Sequence, residues 1–102
     1  MLSDSEVEHA ERVMTAILRE YSSATRKFGP FHSAHEGWAV IHEEMCELWE
    51  EVRKTPADRK PDAMRDEAVQ VAAMALRFVV EIVDGGKVKR KRYAAPRGWK
   101  EA

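Results

Sequence analysis

Two short acidic clusters, His42-Glu43-Glu44-Met45-Cys46-Glu47 and Asp66-Glu67-Ala68-Val69-Gln70, hold the side chains of this sequence best able to do chemistry. In each, two oxygen donors stand three positions apart, Glu44 with Glu47 and Glu67 with Gln70. Residues at i and i+3 share one face of a helix. Two such helices side by side would converge four oxygen ligands, three of them carboxylates. That set suits a hard cation, Mg2+ first and Mn2+ as the alternative, with phosphate oxygens as the remaining ligands.

The elements that must position these groups follow from apolar spacing. A first helix is expected from Asp4 or Ser5 to Tyr21, with Val7, Ala10, Val13, Met14, Ile17, Leu18 and Tyr21 on one stripe and Ser3 or Ser5 as its cap. Residues 22–30 read as a loop, since small polar residues dominate and Gly29-Pro30 blocks helix continuation. Ser33 and Glu36 have the spacing of a capping box. A second helix therefore starts there, carries Trp38, Ile41, Met45, Leu48, Trp49 and Val52 toward the core, and ends near Lys54. Residues 55–61 form a connector, and Pro61 fits the first turn of a third helix, where its missing N–H does no harm.

From Ala68 to Val83 the third helix has only Gln70, Arg77 and Glu81 as polar residues, and Gly85-Gly86 is its expected stop. A helix apolar nearly all round must be covered on several sides. The expectation is an all-α bundle of three main helices per chain, its core completed by oligomerisation. Residues 1–84 form the single domain and 85–102 a basic C-terminal tail.

Glu67, Gln70, Arg77 and Glu81 follow one another as a stripe, and Glu44, Glu47, Glu51 and Lys54 repeat it on the second helix. In both, a basic residue comes two turns after the second oxygen donor, about 10 Å along the axis. An acidic floor with cations further along the groove matches a metal–polyphosphate complex, with Lys54 and Arg77 as phosphate ligands. The plain alternative for the first cluster is a solvated acidic face in which Glu47 and Glu50 pair with Lys54. That alternative does not explain Gln70 and Arg77 within so apolar a helix.

The pattern Glu43-Glu44-x-x-Glu47, a spacer, then Glu67-x-x-Gln70 resembles the E-E-x-x-E and E-x-x-D motifs of the all-α nucleoside triphosphate pyrophosphohydrolases of the MazG and dimeric dUTPase group. The resemblance covers roughly residues 33–83. It implies Mg2+-dependent hydrolysis of a nucleoside triphosphate to monophosphate and pyrophosphate, and a four-helix-type core completed in a homodimer or homotetramer. Carried over position by position, it makes Glu44, Glu47 and Glu67 metal ligands, while Gln70 stands where the motif has aspartate. An amide oxygen can ligate Mg2+ but brings no charge and cannot act as a base. The candidate proton acceptors are Glu43 and Glu47.

The nucleotide's base would need an aromatic slot, for which Trp38 is the leading candidate, with His35, Phe28 and Phe31 close by in sequence; packing in the core is the competing role for Trp38 and Trp49. Residues 42–46 also approximate the zinc motif H-E-x-x-H with Cys46 in the last position, but no third ligand follows at a recognisable spacing. The second class of function is a non-catalytic helical module of the same fold, with a lapsed metal site, that binds nucleotide, nucleic acid or protein.

The 102 residues suffice for one modest core. Charge is unevenly spread: residues 1–86 carry 17 acids against 10 bases, and 87–102 carry 7 bases against the single acid Glu101. The tail's bases, with Tyr93 and Trp99, could bind nucleic-acid phosphate and stack on bases, reach a nucleotide across a dimer, or serve as a solubilising end. Cys46 is alone, which excludes an internal disulfide and fits a reducing cytoplasm. No apolar run approaches the ~20 residues of a membrane span, and the N-terminus lacks the features of a signal peptide.

Overall fold

The computed structural model describes residues 1–85, and these form three α-helices: α1 Asp4–Phe28, α2 Ala34–Val52 and α3 Pro61–Phe78, the last continued by a π-helical turn, Val79–Val83. The all-α expectation holds, and the described residues contain no strand. Gly86 and the basic tail, with Tyr93 and Trp99, lie outside the described residues. No helix among the described residues is long and apolar enough to cross a membrane.

Local signals set most helix ends. Ser3 caps α1 with a complete capping box: its hydroxyl accepts from the Glu6 N–H and the Glu6 carboxylate accepts from the Ser3 N–H. Ser33 caps α2 in the same way toward the Glu36 N–H. The return bond is displaced by one residue, because the Glu36 carboxylate accepts from the backbone and ring of His32 instead. Pro61 opens α3 as expected.

The end of α1 departs from expectation. The helix does not stop at Tyr21 but runs through the polar segment to Phe28, where Gly29 at φ 68° terminates it. Ala24 explains the extension. It is buried in the core, so this turn is held by tertiary packing despite its weak local preference.

α3 lies at the centre, packed against α2 on one side and α1 on the other. That position covers much of its apolar surface, while Ala68, Ala75, Val79 and Val83 remain exposed along one stripe. Ala24, Phe31, Ala73 and Met74 form the buried core, with Ile17, Tyr21, Val40, Ile41, Phe78 and Ile82 packed around it. Met45, Trp38 and Trp49, expected at the core or in a base slot, instead face outward; the two tryptophans are 58% and 59% exposed. By helical spacing they lie on a flank of α2, about 100° around from the face of Gly37, Val40, Ile41, Glu44 and Leu48.

α2 and α3 are antiparallel. Gly37, early in α2, meets Phe78, late in α3, so closely that a Cβ at Gly37 would stand 2.7 Å from the Phe78 ring. The same end is locked by a buried brace. Arg77 and Glu81 are 2% and 6% exposed and form an ion pair at 3.1 Å. The other Glu81 oxygen accepts from the Phe31 N–H at 2.7 Å, Arg77 also donates to the Gly29 carbonyl, and its guanidinium lies over the Phe31 ring. Glu81 itself belongs to the π turn, which is marked by the Asp84 N–H donating to the Val79 carbonyl.

Removing one partner of this brace leaves a buried charge uncompensated, so Arg77→Ala or Glu81→Ala should each cost about 3–5 kcal/mol in urea unfolding. The double replacement Arg77→Met with Glu81→Leu should cost less than the sum of the single losses. Gly37→Ala should cost about 1–3 kcal/mol through its clash with Phe78.

Candidate metal centre

The antiparallel register of α2 and α3 brings Glu44 and Glu47, one turn apart on α2, against Glu67 on α3. One carboxylate oxygen from each lies within 4.8 Å of the others. Oxygens around one Mg2+ are about 3–4 Å apart, given Mg–O distances of ~2.0–2.1 Å. Small side-chain rotations would therefore close the three onto one ion. Among the described residues this is the only group of three or more His, Cys, Asp or Glu side chains so arranged.

Two further observations mark the cluster. Glu44 and Glu67 are half-buried, and Glu44 Oε2 and Glu67 Oε2 are shielded from solvent with no hydrogen-bond partner. Burial pushes the Glu44 carboxyl up to about 7, with the charge of Glu47, its hydrogen bond to Glu44, and the charges of Glu67 and Glu43 adding to the shift. Glu67 is raised by burial first, then by Glu47, Glu51 and Asp66. A proton or a cation relieves such a cluster, and the donor set is that of a hard divalent ion. It does not distinguish Mg2+ from Mn2+ or Ca2+.

The other sequence candidates divide around this centre. Gln70 is half-buried one turn beyond Glu67, on the same face by spacing. Glu43 is exposed and near enough for its charge to act on Glu44. Lys54 is held by Glu51 at 2.9 Å, at the far end of α2. Arg77 is enclosed by Glu81, Gly29 and Phe31, so its donors are spent inside the fold instead of facing a groove. Phe31 likewise packs in the core, while Phe28 and His35 are exposed. Trp38 sits about 120° around α2 from Glu44 by helical spacing, with its ring beside that of His42 at 5.9 Å. The structure thus joins the three glutamates and separates them from Trp38, His35 and Arg77.

His42 and Cys46 do share a face, with Nε2 and Sγ 3.8 Å apart, but no third His, Cys, Asp or Glu among the described residues joins them. Sequence reasoning missed two features. Glu51 is half-buried and acts on Glu67 from the next turn of α2, and the Arg77–Glu81 pair is internal. The i,i+4 spacing of opposite charges within an apolar helix was the available signal for the second.

The raised Glu44 carboxyl gives the ion-free protein a pH dependence. The folded protein retains a proton there that the unfolded chain releases near the ordinary value of 4.5. Stability is therefore fully present below that value and is lost as pH rises toward about 7. The melting temperature in EDTA should fall across this window, and Glu44→Gln should flatten the fall; an unchanged slope would contradict the assignment.

Comparison of the chain with family models, curated proteins and solved structures returned no match.

Proposed function

We propose that this protein is a divalent-cation-dependent nucleoside triphosphate pyrophosphohydrolase, using Mg2+, that releases nucleoside monophosphate and pyrophosphate. The observation that carries the reading is the convergence of Glu44, Glu47 and Glu67 at the α2–α3 seam, with two carboxylate oxygens left without a partner. The motif resemblance over residues 33–83 supplies the substrate class.

Glu44, Glu47 and Glu67 would hold the ion, with the Gln70 amide oxygen as a neutral fourth ligand. A bound divalent ion supplies Lewis acidity toward phosphoryl oxygens and lowers the pKa of a coordinated water. The remaining work falls to the chain. Glu47 and Glu43 are exposed at the edge of the cluster, where a carboxylate can accept the proton of the attacking water. The new bond joins water oxygen to phosphorus, and the bridging P–O bond breaks to release pyrophosphate. Glu44 and Glu67, half-buried, act as ligands and not as proton acceptors from solvent.

A second copy of the chain completes the assembly in this reading, as a homodimer or homotetramer. Val7 and Met14 on α1 and Val79 and Val83 on the π turn are exposed apolar residues that it would cover. The lone Cys46 accords with a reducing cytoplasm.

The second reading, a binding module with a lapsed metal site, is favoured by two observations. Gln70 replaces the motif aspartate, and the two cations expected to meet phosphate are engaged, Arg77 by Glu81 and Lys54 by Glu51. Pyrophosphate release from a panel of canonical and modified nucleoside triphosphates, with and without Mg2+, separates the readings. Ion-dependent release that falls at least ~100-fold in Glu47→Ala is the expected result. No release from any nucleotide, restored by Gln70→Asp, would instead establish the lapsed site.

A further inference from the structure

The seam between α2 and α3 has two sides, and the carboxylates occupy only one. On α2, Gly37, Ile41 and Leu48 face α3, with Glu44 and Glu47 to one side of that line and Trp38, Met45 and Trp49 to the other. On α3, Val71 and Phe78 lie toward α2; Glu67 stands to one side of that line, and Ala68 and Ala75 to the other. Glu67 meets Glu44 and Glu47. The tryptophan flank of α2 and the alanine flank of α3 therefore adjoin on the opposite side of the same seam.

The two flanks differ in height. Trp38, Met45 and Trp49, 58%, 46% and 59% exposed, form a ridge. Ala68, Ala72, Ala75 and Val79 form a valley of small side chains, half-buried at Ala72 and exposed at the other three. Ridge and valley each span eleven steps of helix, about 16 Å at 1.5 Å per residue. Gly37 lies against Phe78 and the helices are antiparallel, so Trp38 stands level with Ala75 and Val79, and Met45 level with Ala68 and Ala72. Trp49 follows one turn further toward the start of α3. Neither line contains a charged residue, and Ile41 and Val71 between them are apolar.

The size of this face calls for a macromolecular partner. Covering it would remove on the order of 600 Å² per copy, taking a large aromatic side chain at roughly 150–250 Å². Two copies would then bury about 1,200 Å² together, the lower bound of a specific, stable interface. Shape and charge select the occupant. A face without bases offers nothing to nucleic-acid phosphate or to anionic lipid headgroups. A ridge beside a valley of equal length is complementary to itself. A two-fold axis parallel to the helices, running over the seam, lays the ridge of one copy in the valley of the other. That operation leaves every level unchanged. Each copy's Trp38 meets the other's Ala75 and Val79, and each Met45 meets the other's Ala68 and Ala72, where small side chains let the helices approach closely.

We propose that two copies of this chain pair through this face, with α2 of each seated antiparallel on α3 of the other. The proposal takes up the second copy of the assembly described above and gives it a position. It needs neither ion nor turnover, so pairing and the pyrophosphohydrolase reading fail separately. The carboxylate clusters lie on the far side of each seam, so the pair carries them on its two outer surfaces, each cluster made by one chain.

Sedimentation velocity of the full chain from about 1 to 100 µM tests the pairing. The natural protein should pass from monomer to dimer across this range, and Trp38→Ala should weaken the association. Ala75→Trp is the sharper variant, because it adds apolar surface at an exposed position yet fills the valley. A seated ridge predicts a dissociation constant raised at least ~10-fold, with helical circular dichroism unchanged. A natural chain monomeric throughout, or Ala75→Trp associating as well as or better than the natural protein, would overturn the proposal. Titration with Mg2+ separates the two readings: the Ala75→Trp monomer should bind the ion as the natural protein does. Ion binding lost on dissociation would overturn the outward placement of the clusters. Dimers that bind no Mg2+ would uphold the pairing and count against the pyrophosphohydrolase reading alone.

Discussion

Three like charges meet at a half-buried seam between two helices, and the candidate site depends on that juxtaposition. Packing of α2 against α3 determines it: Gly37 lets the start of α2 approach Phe78, and the antiparallel register then sets Glu67 against Glu44 and Glu47. At an effective dielectric of about 20, two carboxylates this close repel by roughly 3 kcal/mol, and by less where Glu47 meets solvent. Apolar burial along the seam opposes that repulsion. The fold therefore keeps a standing preference for a proton or a cation at this place, which the raised carboxyl of Glu44 expresses.

The Arg77–Glu81 brace has the opposite electrostatic character. There the charges are opposite, enclosed and fully bonded, and they tie the loop before α2 to the end of α3. The two arrangements lie at different levels of the same helix pair. One satisfies its charges internally and fixes the register; the other, placed by that register, does not. A buried ion pair is weak evidence for net stability, and its value here is positional, since it holds Phe31 and Gly29 where α2 begins.

Much of this was legible in the sequence because it rests on local rules. The Ser33 cap, Pro61 at the start of α3, the i,i+3 pairing of Glu44 with Glu47 and the all-α class need only spacing and backbone preference. What was not legible depends on tertiary partners. Residues 22–28 have loop composition, yet Ala24 is drawn into the core and the helix continues. Trp49 and Met45 have core composition, yet among the described residues they are left exposed on a flank of α2. Arg77 shares a nominal stripe with Glu67 and Gln70, but Glu81 and the Gly29 carbonyl take its donors inward. Spacing along one helix states which residues share a face, not what that face meets.

The central claim is that Glu44, Glu47 and Glu67 form a site for a divalent cation, and calorimetric titration with Mg2+ and Mn2+ tests it most directly. At pH 7, in buffers of different ionisation enthalpy, the protein should bind the ion and release a proton, since Glu44 titrates at about 7 in the ion-free protein. Glu67→Gln should weaken binding and preserve the fold. Absence of binding, or binding that Glu67→Gln leaves unchanged, would contradict the account.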